Sequence, residues 1–384
     1  FTVFGIGFIA AGFIDGYNVA LNEPYDYTIN ATYEHPMTES RIEEIAEESN
    51  TVITSIKHID CLLLGVQNNY KNGERDWGSR IIVSEDNFNV LSGAAISVPK
   101  GSYTVYYDSS MEYKLNAFSA ESSLFYNPTT EQEFYFIQNE PICYDGLFNT
   151  RSVFSSFLIL NNDDYRTIAA TLADEYRAVS YMVNVENWQD TMDFQNNILK
   201  AVISDNNGVI FTNWHNSATF EKTGSQAEYL PFDGNETKIA RLWSLYPLSK
   251  LSSTTTQFEA FATYLMLMLF IAIVAFVSAV MVIGLKLIST IWDDAEVYND
   301  LRRLGMKRKK IKGLITKQML FVYFIPTVLG CIIGAFTTYR IMLVSGVIYI
   351  GETMQLVGCV CGLVLIIQIA IFFVLRSRVM RNYA

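Results

Sequence analysis

The segment Trp292–Lys317, WDDAEVYNDLRRLGMKRKKIKGLITK, decides how the chain is organised. It carries Arg302, Arg303, Lys307, Arg308, Lys309, Lys310, Lys312 and Lys317 between two uncharged apolar runs. Lys and Arg concentrate in short cytoplasmic loops beside membrane spans, so this loop is expected to face the cytoplasm. Residues 21–257, beyond the preceding apolar run, are then expected on the outer side.

A hydrocarbon core of about 30 Å takes roughly 20 apolar residues as a helix. Ala260–Leu285, Gln318–Tyr339 and Met354–Leu375 contain no charged residue and read as spans, with Arg376, Arg378 and Arg381 holding the last one inside. The run Phe1–Ile14 reaches only about 21 Å at about 1.5 Å per residue. It lacks the basic leader of a signal peptide and reads as the outer end of a truncated span. The expected fold is thus a membrane α-helical protein of four spans, the first truncated, with a large extracellular α+β domain between spans one and two. The expected boundaries are a truncated transmembrane helix at 1–20, the extracellular domain at 21–257, and a transmembrane helix at 258–288 that continues into the cytoplasm. A cytoplasmic coupling segment follows at 289–312. Then come a span at 313–340, a short extracellular loop at 341–352, a span at 353–376 and a cytoplasmic tail at 377–384.

Composition agrees with this division. The 384 residues are 50% hydrophobic and 17% charged, as suits a chain that is part soluble and part embedded. Residues 21–257 hold 32 Asp and Glu against 15 Lys and Arg, a net charge of −17, and the remainder carries +6. Two readings of this asymmetry stand side by side. One is solubility outside with positive charge inside. The other is attraction of a cationic ligand by the summed field.

Within the external domain, Tyr25–Tyr33 and Asp60–Val66 read as strands. Ser40 and Glu43 suit a capping box for a helix running to about Asn50. Ala95–Tyr107 reads as two strands around Pro-Lys-Gly-Ser. Phe157–Leu160 and Tyr176–Val185 read as strands, each followed by a helix: one capped by Asn162 or Asp163 and running through Ala173, the other over Asp190–Ile203.

Candidate chemistry is sparse. His35, His58 and His215 do not stand at metal-ligand spacing, and no G-x-S-x-G, H-E-x-x-H or Walker A sequence is present. No catalytic, cofactor-binding or metal residue is assigned, the chain is expected not to be an enzyme, and no nucleic-acid partner is expected. Asn30-Ala31-Thr32 and Asn235-Glu236-Thr237 fit the glycosylation sequon. Cys61 and Cys143 are either bridged or two buried thiols. Cys359 and Cys361 read as small residues of a packed bundle.

The membrane-proximal pattern says more. Val297, Leu301 and Leu304 mark one face of a polar helix expected over Lys286–Leu304, continuous with the second span. Gly305 suits the left-handed residue that ends it, and a basic helix is expected to re-enter the membrane from about Lys309. Either this is a plain hairpin with solvated charges, or it is a lever between a cytoplasmic partner and the bilayer.

Tyr298-x-x-Leu301-Arg302-Arg303-Leu304-Gly305-Met306-Lys307-Arg308-Lys309-Lys310-Ile311 resembles the cytoplasmic signature of the FtsX-like permeases of ABC transporters. Leu285-Lys286-Leu287, Asp294, Tyr298, Lys317-Gln318, Phe324-Ile325-Pro326 and Pro24-Tyr25-Asp26-Tyr27 are similar to its bacitracin-resistance (BceAB-type) branch. The resemblance implies a permease whose ATP and Mg are held by a separate cytoplasmic ABC ATPase, present in two copies, often with a membrane histidine kinase alongside. It implies six further spans before residue 1. It also implies release of a cationic or lipid-bound antimicrobial peptide at the outer surface of the bacterial cytoplasmic membrane. Asp294, Tyr298, Leu301, Arg302, Arg303, Gly305, Lys307 and Arg308 would then couple to the ATPase. A four-span frame would point instead to a lipoprotein-release or macrolide-type exporter, or to a non-transporting relay that regulates an extracellular enzyme.

Overall fold

A computed structural model of the chain describes residues 2–32, 37–109, 122–149, 152–205, 210–212, 217–224, 229–231, 247–345 and 349–382. The chain divides into two compact units, one of Phe1–Asn18 with Thr255–Ala384 and one of Val19–Thr254. His35, His215 and the sequon at Asn235 lie outside the described residues.

Helix α1 (Thr2–Leu21) leads into the second of these units, which is β-rich. Its elements in order are β1 (Tyr27–Thr32), α2 (Glu39–Glu48), β2 (Ile53–Asn69), β3 (Arg75–Ser84), α3 (Glu85–Ser92) and β4 (Ser102–Tyr107). Strands β5 (Ser122–Tyr126), β6 (Glu133–Gln138), β7 (Ile142–Cys143) and β8 (Ser156–Leu160) follow, then α4 (Asn162–Ala169), β9 (Arg177–Val185) and α5 (Met192–Asp205). The unit closes with β10 (Ile210–Thr212), α6 (Phe220–Thr223), β11 (Tyr229–Pro231) and β12 (Leu248–Ser249).

The main sheet runs β12-β1-β9-β2-β3-β8-β4-β6-β5, with β7 beside β4. Strand β5 returns to β2 at Gly65↔Tyr126 and Val66↔Phe125. Strands β2, β3, β8, β4, β6 and β5 therefore close into a barrel-like ring, which leaves no free edge along that part of the sheet. Alternate residues of the ring, Leu62, Leu64 and Val66 with Tyr103, Val105, Leu158 and Leu160, join Phe125 and Phe136 in one apolar cluster. The two-residue period of a strand places them on a single face. Ile168 and Leu172, at and after α4, close that cluster.

The open arm of the sheet, β12-β1-β9, is covered by α2 and α5. Ile42, Ile45 and Ala46 meet Phe194, Ile198, Ala201 and Val202 over Tyr27, Ile29 and Val183. The spacing of the α5 residues is that of a helix with one buried stripe.

Several local expectations are corrected. The N-cap of α2 is Thr38, which accepts from Arg41 N, not Ser40; the helix starts two residues earlier than expected, at Glu39, so Arg41 and not Glu43 takes the third helical position and no capping box forms. Strand β2 spans 17 residues, far beyond Asp60–Val66, because its polar first half pairs with β9. Ala95–Val98 is not a strand. Asn89 accepts from Ile96 N and donates to Ile96 O, while Glu85 accepts from Val98 N, so side chains replace the ladder. Asn161 caps α4, which ends at Ala169. Asn30 is only 5% exposed within β1 and offers a glycan no access. Cys61 is a free, buried thiol whose pKa is raised by desolvation, whereas Cys143 is free but exposed on β7, so the bridged alternative falls and the alternative of two buried thiols holds for Cys61 alone.

Helix α7 (Lys250–Asp293) begins in the β-rich unit and belongs to the other unit from Thr255 on, where α8 (Ala295–Arg303), α9 (Arg308–Ser345) and α10 (Ile350–Asn382) follow. Three helices, at Lys250–Thr290, Arg308–Val344 and Ile350–Met380, are long and apolar enough to cross a membrane. Phe270, Met281, Phe321, Ile333 and Ile366 on them are exposed, as suits side chains whose solvent is lipid. Helix α1 has a shorter apolar stretch, Ile9–Leu21. Phe13 on α1 stacks on Phe261 of α7 with centroids 4.0 Å apart.

Candidate functional site: the α7–α8–α9 turn

The expected single helix over Lys286–Leu304 is two helices that meet at Asp294 (φ −82°, ψ −1°). Hydrogen bonds from Asp294 N to Thr290 O and from Tyr298 N to Asp294 O, both 3.0 Å, carry the ladder across the bend. The bend is braced by a side chain from α9. Gln318 Nε2 donates to Asp294 Oδ2 at 3.2 Å, and the Tyr298 hydroxyl donates to Gln318 Oε1 at 2.7 Å. One amide thereby satisfies an acidic residue and a phenol, each of which fixes which way round the amide stands.

Helix α8 ends in a complete Schellman closure. Gly305 N donates to Arg302 O and Met306 N to Leu301 O, both at 3.0 Å, and Gly305 takes φ +90°. This is the paired bonding of a left-handed C-terminal cap, and it needs glycine where φ is positive. Leu301 and Met306, the two residues flanking the closure, both pack on a cluster of Tyr298, Ile311, Ile315, Met319, Tyr323, Phe372 and Val379. The four-residue spacing Ile311-Ile315-Met319-Tyr323 is one face of α9. That spacing was readable in the sequence but was not among the expected site residues, and neither was Gln318.

The expected coupling residues thus separate by role. Asp294, Tyr298, Leu301 and Gly305 hold the turn together. Arg302, Arg303, Lys307 and Arg308 are exposed around it, joined by Lys309 and Lys310. Arg303 reaches Asp300 at 3.3 Å with both side chains mostly exposed, 84% and 67%, so that pair contributes little stability. Helix α9 begins at Arg308 with no acidic residue in its first turn. Its first turn and its dipole are both positive, which suits contact with an anionic surface. Arg376 Nε donates to Thr316 Oγ1 at 3.3 Å, which brings the basic end of α10 beside the basic start of α9.

The opposite ends of these helices carry acid. Asn18 Nδ2 donates to Glu352 Oε2 at 3.2 Å, and Tyr349 N donates to Asp15 Oδ1 at 3.4 Å. Within this unit basic side chains therefore collect at the turn end, where Asp293, Asp294, Glu296 and Asp300 are interspersed with them.

The Pro24–Tyr27 stretch is fixed within the β-rich unit. Asn149 accepts from Tyr25 N and donates to Tyr25 O. Asp26 accepts from Val185 N at 3.0 Å and pairs with Lys250 Nζ at 3.2 Å. Among the described residues there is no group of three or more His, Cys, Asp or Glu placed to hold a metal. His58 sits beside the Tyr181 ring with centroids 6.1 Å apart.

Comparison with protein families finds no family that matches the chain, and comparison with curated proteins finds no match.

Proposed function

We propose that the chain is a permease component of the FtsX-like type, most similar to the bacitracin-resistance branch. In this reading α1 is a fourth span, residues 21–257 stand outside the bacterial cytoplasmic membrane, and the C-terminus is cytoplasmic. A separate ABC ATPase, in two copies, docks on residues 289–312 and holds the ATP and Mg. Its hydrolysis drives release of a cationic or lipid-bound antimicrobial peptide at the outer surface, and a membrane histidine kinase reads that activity.

One observation carries the reading. The exposed basic residues surround a turn locked by the Gly305 closure and the Asp294–Gln318–Tyr298 brace. A solvated loop needs no such fixing, whereas a docking element gains from being held in one geometry before it binds. The concentration of Lys and Arg at the turn supports the orientation through the positive-inside bias, and the −17 charge of residues 21–257 supports a cationic ligand.

The test is peptide-antibiotic susceptibility in a strain that lacks the gene and keeps its ATPase. Hypersensitivity to bacitracin-like or cationic wall-directed peptides, with normal division, is the expected result. Unchanged susceptibility with chained or misshapen cells would replace this reading with that of a relay that moves no substrate.

A further inference from the structure

A second constellation lies on the barrel-like ring, among residues with no role in the turn. Lys222 Nζ, on α6, stands 4.5 Å from the centroid of the Tyr126 ring and 5.4 Å from that of Trp77. It also pairs with Glu133 Oε1 at 2.6 Å. The two rings meet edge to face with centroids 6.2 Å apart. The Tyr126 hydroxyl donates to Glu221 Oε2 at 2.6 Å, which turns its ring toward the ammonium. Two aromatic faces and a carboxylate around one ammonium are the usual elements of an alkylammonium cage.

The cage is assembled from distant positions by the ring closure. Trp77 comes from β3, Tyr126 from β5 and Glu133 from β6. The segment that brings Lys222 is admitted by Gly65 of β2, where an added Cβ would lie 2.8 Å from the Ala218 carbonyl oxygen. Lys222 itself is half-buried, its side chain 27% exposed, and Glu133 is 40% exposed, so the site opens to solvent. The cation sits on a four-residue helix, an element too short to be stable by itself. A tethered ammonium on so short a helix can leave the cage without disturbing the strands that build it.

We propose that Trp77, Tyr126 and Glu133 form a receptor for a primary alkylammonium group, that Lys222 occupies it as an internal stand-in, and that a lysine-type side chain of a cationic peptide displaces Lys222. The peptide as source of the amine rests on the function proposed above; the cage does not.

The experiment measures binding of a fluorescently labelled trilysine amide to the whole protein in phosphatidylcholine nanodiscs. It is run at 0.15 M salt, where exposed charges more than roughly 8 Å apart are largely screened. Removing the tethered competitor in Lys222→Gln should tighten binding about tenfold. The double variant Lys222→Gln with Trp77→Leu has the same charge and should fall back to the wild-type affinity or below. Both variants should keep the wild-type far-UV spectrum, because the substituted side chains lie outside the apolar cluster of the ring. A Lys222→Gln variant that binds no tighter, or a double variant that keeps the gain, overturns the cage. Peptide susceptibility of cells carrying the same variants separates the two ideas. Tighter trilysine binding without any change in susceptibility would leave the cage standing and count against the peptide.

Discussion

The Tyr298 hydroxyl donates to Gln318 Oε1 at 2.7 Å, tying α8 to a helix that starts beyond the turn. Tyr298 is 9% exposed and lies in the same cluster as Ile311, Ile315 and Met319, so the bond is partly shielded from water. There the loss of one partner costs more than the bond's net worth, because the other is left unsatisfied.

Removing one side of this bond tests its role as a brace. Tyr298→Phe should lower stability by about 1 kcal/mol, and Gln318→Leu by about 1–3 kcal/mol, because it removes the amide that Tyr298 and Asp294 share. The double variant should cost less than the sum of the two. Thermal unfolding of the purified proteins in nanodiscs measures the coupling. Strict additivity of the two costs would mean that the bond does not brace the turn.

Gly305→Val places a β-branched residue at φ +90°, a cost of about 1–3 kcal/mol. Because the strain falls on the closure and not on a span, membrane insertion should be normal. On the function proposed above, the variant should uncouple ATP turnover in the partner from peptide protection, so that protection falls while ATP hydrolysis persists. Wild-type protection by a fully expressed Gly305→Val protein would remove the locked turn from the mechanism.

Gly305 and the α5 stripe were legible in the sequence because each rests on local chemistry: a left-handed cap in one case, 3.6-residue spacing in the other. The three long apolar helices were legible for the same reason, since their length and composition are local. The bend at Asp294 was not, because the side chain that braces it, Gln318, stands 24 positions away. Ala95–Val98 misled because its alternating apolar residues fit a strand, while Asn89 and Glu85 offered its backbone a competing set of partners. The Trp77–Tyr126–Glu133 cage carries no local pattern at all. It exists only once β5 has closed on β2.

Tyr27 should make alkaline unfolding steeper. Burial is the chief cause that pushes its pKa from 10.0 up to about 12, with Asp26 adding to the rise and the Thr191 hydrogen bond opposing it. Below pH 10 the folded and unfolded chains both hold this proton. Between pH 10 and about 12 the unfolded chain releases it first, so the contribution to stability is lost as pH rises through that window. Tyr27→Phe should flatten the fall in that window. It should also lower stability at neutral pH by about 1 kcal/mol, through loss of the bond to Thr191. Denaturant unfolding at pH 7, 10 and 11.5 would show both effects; an unchanged alkaline slope would assign the loss to other tyrosines.

Within the β-rich unit the Asp26–Lys250 pair joins the residue that precedes β1 to the first residue of α7. The two side chains are only 9% and 12% exposed, so neither charge has water to fall back on. Three further contacts hold the geometry: Lys250 N donates to Asp26 O at 2.8 Å, Val185 N donates to Asp26 Oδ2, and Lys250 Nζ stands 5.5 Å from the Trp188 centroid. Asp26→Asn leaves a buried ammonium facing a neutral amide and should cost about 3 kcal/mol. Lys250→Met should cost less, because Asp26 keeps the Val185 N–H and Met retains the apolar stem against Trp188. The double variant Asp26→Asn with Lys250→Met, which buries no charge, should recover much of the loss. Unfolding curves of the three proteins decide the matter. If Lys250→Met proved the worst of the three, the stability of this corner would come from the lysine's contact with Trp188 and not from charge pairing.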